Sequence, residues 1–145
     1  MTTAPYDLDR FLDAQQGKYE TALAEVRAGR KRSHWMWYVF PQVAGLGFSA
    51  MSRRYAIRDA DEARAYLAHP VLGVRLVECC EAALAVAGRS AHEIFGSPDD
   101  LKLCSSATLF ASVSAPGSVF ERVLERYFAG RRDERTVELL SLPGV

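Results

Sequence analysis

The chain is short of the features that would give its function away. It has no excess charge of either sign: eighteen Lys and Arg stand against eighteen Asp and Glu. That balance gives no electrostatic argument for a nucleic-acid or membrane-surface partner. Cysteine is scarce, with three residues, an odd count in which Cys79 and Cys80 are adjacent and no C-x-x-C occurs. The expectation is three reduced core thiols in a cytoplasmic protein, with no disulfide and no metal site. No apolar run approaches the ~18 residues of a membrane span, and the start of the chain has no basic-then-apolar leader, which argues against membrane insertion and secretion. Two-residue alternation is missing, as is any internal repeat, which argues against sheets and solenoids. Gly45-Leu46-Gly47 lacks the third glycine of a dinucleotide fingerprint and follows no strand, so no cofactor is expected.

What is present is helical periodicity. The 145 residues, 49% hydrophobic and 25% charged, suit one domain with a core of its own. After a lead over residues 1–6 that is expected to fray, Asp7 is placed to cap a helix carrying Leu8, Phe11, Leu12 and Gln15. A second helix, Lys18 to Ala28, stops at Gly29. Capping patterns follow at Ser49, Asp59/Glu62, Ser90/Glu93, Ser97-Pro98, Ser118/Glu121 and Asp133. Asp133 opens a last helix through Leu140, before Leu142-Pro143-Gly144. Pro70 to Ala87 is apolar nearly all round, which marks a buried helix. The reading is an all-α, single compact domain of about eight short helices around that central segment.

Chemistry has few places to sit. Ser33 to Gln42 holds both tryptophans, between a basic cluster (Arg27, Arg30, Lys31 and Arg32) and a glycine-containing loop. It reads as a short buried helix ended by Pro41. Met36, Val39 and Phe40 are core by spacing. His34, Trp35 and Trp37 are candidate wall residues, able to stack a planar ring and to hydrogen-bond or pass a proton; the competing reading has them simply buried or bonded to backbone. Arg75 and Glu78 share one side of the apolar segment, where charges must pair or meet a ligand. Glu78 is the best candidate for a catalytic carboxylate. Lys102, Ser105 and Ser106 lie on adjoining helical turns, in an order that is not Ser-x-x-Lys. They suit phosphate or sugar contact better than acyl transfer. Arg53, Arg54 and Arg58 form a further cationic group, read as a solvated face.

The ten-residue stretch Ser33-His34-Trp35-Met36-Trp37-Tyr38-Val39-Phe40-Pro41-Gln42, with Gly45-Leu46-Gly47 and Tyr55-Ala56-Ile57, resembles the signature of the bacterial DUF1810 family of unknown function. Tyr66 to Cys79, Ile94 to Ser106 and Thr108-Leu109-Phe110 continue the likeness over most of Asp7 to Leu140. Ala107 stands where members more often carry methionine. The resemblance implies a small helical domain and brings no established activity. A fainter likeness, in the general run of the second half, is to a helical superfamily acting on ADP-ribose-type N-glycosidic bonds; no residue role carries over from it.

Three functional readings stand side by side. In the first, the protein binds a small anionic, nucleotide-like metabolite between the aromatic stretch and the central helix, through His34, Trp35, Trp37, Arg75, Lys102 and Ser106. In the second, the same pocket hydrolyses an N-glycosidic bond in an ADP-ribose or nucleotide derivative, with Glu78 as acid/base or charge stabiliser. In the third, the aromatic stretch is core and the domain is a non-catalytic interaction module.

Overall fold

The structure is a computed structural model and describes residues 6–141. The expected fraying of residues 1–6 falls mostly outside them, as does Leu142-Pro143-Gly144. The described residues fold as a single all-helical domain with no strands. Its ten helices are α1 (Asp9–Gln15), α2 (Tyr19–Arg27), α3 (Met36–Val39), α4 (Ala50–Arg54), α5 (Ala60–Ala68), α6 (Leu72–Ala85), α7 (Ala91–Phe95), α8 (Asp99–Ser112), α9 (Val119–Phe128) and α10 (Glu134–Ser141). One isolated parallel bridge, Val43 to Ile57, ties the segment after α3 to the one after α4; Ala44 donates to the Ile57 carbonyl and Ile57 to the Gln42 carbonyl, both at 2.8 Å.

Two helices share the centre. α8 is buried without a break from Ser105 to Ala111, because α5, α7, α9 and α10 all pack on it. Its small residues, Ser105, Ser106 and Ala107, let those neighbours approach. α6 packs on α2, α5 and α9 through Leu72, Leu76, Cys79, Cys80 and Ala83. It is not buried all round, however: Val74 stands 64% exposed, so the segment expected to be wholly enclosed presents one face to water. The α5–α6 corner depends on Gly73, where an added Cβ would lie 2.0 Å from the Leu67 carbonyl oxygen. Aromatic rings thread the core, with Phe11 edge-on to Tyr66 at 5.1 Å and Tyr66 continuing to Phe110 and Phe120.

The capping signals were mostly sound. Ser49, Asp59, Ser90, Ser118 and Asp133 each accept a hydrogen bond from the backbone N–H three residues on, and Ser90/Glu93 forms the complete reciprocal box. Three starts differ. α1 begins after Leu8 with no side-chain cap, since Asp7 lies outside the first turn. α8 starts after Pro98, and Ser97 caps nothing. α6 begins at Leu72 rather than Pro70, and its first N–H groups are taken by the ring of His69: Val71 and Leu72 donate to its Nδ1 at 3.1 and 3.2 Å. That bond fixes the acceptor nitrogen of the imidazole.

Candidate functional site

The segment from Arg30 to Trp35 links α2 to α3 without regular structure, so its polar backbone needs other partners. Glu25, on α2, supplies most of them. Its Oε1 accepts from the N–H groups of Arg32 (2.8 Å) and Ser33 (3.0 Å) and from the indole Nε1 of Trp35 (2.9 Å), while Oε2 accepts from the Ser33 hydroxyl. Partial burial alone would raise the pKa of this carboxyl, but the four donors outweigh it and hold it down to about 2. From the other side, Lys31 N–H donates to the Ile94 carbonyl of α7 at 2.7 Å. The Lys31 ammonium is buried, with 7% of its side chain exposed, and pairs with Asp99 at 2.8 Å. It also donates to the Ser33 carbonyl and lies 5.1 Å from the Trp35 ring centroid.

Asp99 is shared. Its second oxygen takes Lys102 at 3.0 Å, and the Lys102 ammonium lies 4.8 Å from the Trp37 ring centroid. The aspartate is half-buried, which works to raise its pKa, but the two lysines prevail and keep it below the usual carboxylate range. A lysine, an aspartate and a lysine thus stand in line, with a tryptophan ring beside each ammonium. This line edges an open cavity of about 370 Å³ walled by Arg32, His34, Trp37, Ser97, Asp99 and Lys102, among others. A second hollow of about 300 Å³ lies on the far side of His34, against Gly17, Lys18, Thr21 and Tyr38.

The sequence-derived candidates therefore separate. His34, Trp37 and Lys102 line one cavity. Trp35 is core, 2% exposed, and its polar atom is spent on Glu25. Arg75 and Glu78 face elsewhere. Arg75 donates to Gln15 Oε1 at 3.1 Å and stacks on Tyr19, 4.7 Å from the ring centroid. Tyr19 in turn donates to Glu78, which also meets Arg27 at 3.9 Å. Gln15 Nε2 closes the network onto the Tyr38 carbonyl (2.7 Å) and Tyr66 hydroxyl (3.2 Å). Burial, followed by the bond to Glu78, raises the Tyr19 pKa well above the ordinary phenol value, and burial pushes the neighbouring Cys79 thiol up to about 12. The sequence places the pocket against the 70–87 segment; the cavity that takes Trp37 and Lys102 is walled instead by residues 95–102, because α6 directs Arg75 and Glu78 at α1 and α2. Ser106 lies one turn beyond Lys102 but faces inward, 1% exposed, and its hydroxyl has no hydrogen-bond partner among the described residues.

Sequence reasoning missed Glu25, Lys31 and Asp99. Lys31 stands in the sequence only as one of a basic cluster, and Asp99 as a carboxylate in a helical first turn, where the helix dipole alone would account for it. Glu25 gave no signal, because a glutamate on the polar face of an amphipathic helix looks like any solvated charge. No group of three or more His, Cys, Asp or Glu that could hold a metal occurs among the described residues, and none of their helices is long and apolar enough to cross a membrane.

Fold and site together define a small all-helical domain whose aromatic signature packs one tryptophan into the core and presents the other to a cationic cavity. The chain belongs to the family described as "Protein of unknown function (DUF1810)", which it matches over residues 5–140. It is similar to a solved structure, the conserved hypothetical protein Rv1873 from Mycobacterium tuberculosis, at 52% identity and a TM-score of 0.94, over 97% of this chain and 100% of that one. No curated protein matches it.

Proposed function

We propose that this domain binds a small anionic metabolite with a planar ring in the cavity of His34, Trp37 and Lys102. The supporting observation is the pairing of Lys102 with the Trp37 ring at the edge of an open cavity. A half-buried indole stacks a base, and an ammonium with two donors left beyond Asp99 takes the acid group. Arg32 and His34 add cationic or neutral donors on the same wall. Partial exposure of Trp37 on a cavity separates this reading from one in which the whole aromatic stretch is core.

The hydrolytic alternative has less support. Asp99 is the only carboxylate among the residues lining the cavity, and two lysines keep it ionised, unsuited to donate a proton at neutral pH. Glu78 lies in the Tyr19–Arg75–Gln15 network, away from those walls. The test is a fluorescence titration with adenosine 5′-monophosphate, followed by chromatography of the recovered nucleotide. We expect a saturable change in tryptophan emission, lost in Trp37→Phe and weakened in Lys102→Ala, with the nucleotide recovered intact. No saturable change at millimolar nucleotide, or a change that survives Trp37→Phe, would overturn the reading; release of free base would return the hydrolase.

A further inference from the structure

A second cationic hollow lies behind the same segment, and the aromatic cavity does not account for it. It is an open groove of about 490 Å³ along the end of α2, lined by Thr21, Ala24, Glu25, Arg30, Arg32 and Arg89 with Ala28. Three arginines from two distant parts of the chain line it. None of the three makes an ion pair with a carboxylate among the described residues. Glu25, the one acid in the groove, already accepts four hydrogen bonds from the 32–35 segment. Counting it in full still leaves two positive charges over.

The fold makes room for this arrangement. Gly29 ends α2 at φ +74°, and a Cβ there would meet Arg89 Cδ at 3.1 Å and Val86 Cγ1 at 3.2 Å. The stem of Arg89 thus lies across the space that a side chain on residue 29 would fill, although Arg89 comes from the loop between α6 and α7. Among the described residues its side chain makes one hydrogen bond, a long one, from Nη2 to the Glu93 carbonyl at 3.5 Å. Arg30 and Arg32 are held to the groove by their backbone: Arg30 N–H donates to the Glu25 carbonyl at 3.0 Å, and Arg32 N–H to the Glu25 carboxylate.

We propose that Arg30, Arg32 and Arg89 form a site for a diphosphate group. Guanidinium forks match the paired oxygens of phosphoryl groups, stay charged at every relevant pH, and bind them with charge-assisted bonds. Three forks around one hollow have more donors than one phosphate can accept and suit two linked phosphates. The site stands independently of the aromatic cavity, although Arg32 lines both.

The test uses the full chain and inorganic diphosphate, titrated calorimetrically at low ionic strength, with orthophosphate alongside because both are subject to the same salt screening. Diphosphate binds at least about tenfold tighter than orthophosphate, and Arg30→Gln and Arg89→Gln each weaken it by about tenfold, while Lys102→Ala leaves it unchanged. Both arginines are exposed, so the variants keep the wild-type melting temperature, which a thermal melt checks; if one does not fold, the other carries the test. Equal binding of the two anions, wild-type affinity in both variants, or loss of diphosphate binding in Lys102→Ala overturns the assignment. Failure here, with the Trp37 emission change by adenosine 5′-monophosphate intact, rejects the arginine site alone; the converse rejects only the aromatic cavity.

Discussion

Glu25 and Trp35, ten residues apart and on opposite sides of an irregular segment, are joined by a 2.9 Å hydrogen bond from the indole N–H to a carboxylate oxygen that also holds two backbone N–H groups. The tryptophan that marks the signature is thereby oriented by a residue outside it. Glu25→Ala frees donors at Arg32, Ser33 and Trp35 together, and denaturant unfolding should show a loss of about 3 kcal/mol.

The same carboxylate makes stability depend on pH. Its folded-state pKa, about 2, lies below the ordinary glutamate value of 4.5. A depressed carboxylate contributes stability that is complete above the unfolded value and is lost as pH falls through the folded one. Melting temperatures of wild type and Glu25→Gln, measured from pH 6 down to pH 2, should therefore converge as the pH approaches about 2. A constant gap across that range would show that the charge itself is unimportant.

Asp99 serves two lysines, one of them buried. Asp99→Asn leaves the Lys31 ammonium without its counter-ion, at a cost of about 3 kcal/mol. Lys31→Met in the same chain removes the stranded charge and should restore much of that loss, whereas adding Lys102→Met should restore little, because Lys102 reaches water. A pair of double variants measured by urea unfolding decides between them.

Gly73 admits no side chain. Its would-be Cβ meets a backbone carbonyl, which has no rotamer to move to. Gly73→Ala should cost about 3 kcal/mol or more through displacement of α6 from α5, despite the higher helix propensity of alanine. An unchanged unfolding midpoint would mean that the corner is softer than the packing indicates.

The Ser106 hydroxyl is buried without a hydrogen-bond partner among the described residues. Removing an unsatisfied polar atom is neutral or favourable, so Ser106→Ala should raise stability by up to about 1 kcal/mol. A loss of stability would instead show that the hydroxyl holds a hydrogen bond in the folded protein.

Helix identity was legible because the signals are local. Capping residues at Ser49, Ser90, Ser118 and Asp133 act within one turn, and the 3.6-residue pattern of α9 needs no knowledge of the rest of the chain. The centre of the fold was only partly legible. Residues 70–87 have the more apolar composition, yet α8 is the helix with the unbroken buried run, because serines and an alanine let four neighbours close on it. Apolar content measures what a helix can bury; burial also depends on how closely other helices can approach. The site divides in the same way. Trp37 and Lys102 could be named from residue type, but which charges meet across helices depends on packing. Arg75 and Glu78, correctly seen as needing partners, found them in Gln15, Tyr19 and Arg27, and Lys31 and Asp99 paired across a gap that no sequence spacing encodes.

The Arg30 to Trp35 segment is irregular in form but clamped from two directions, by Glu25 of α2 and by Ile94 and Asp99 of α7 and α8. It cannot peel away by fraying from an end, since α2 and α3 hold both ends and the clamps lie between. Opening it requires those helices to separate. The amides of Lys31, Arg32 and Ser33 should accordingly exchange with solvent deuterium on the timescale of the helical core and not of a loop, and in an exchange experiment this coil would be counted with the helices.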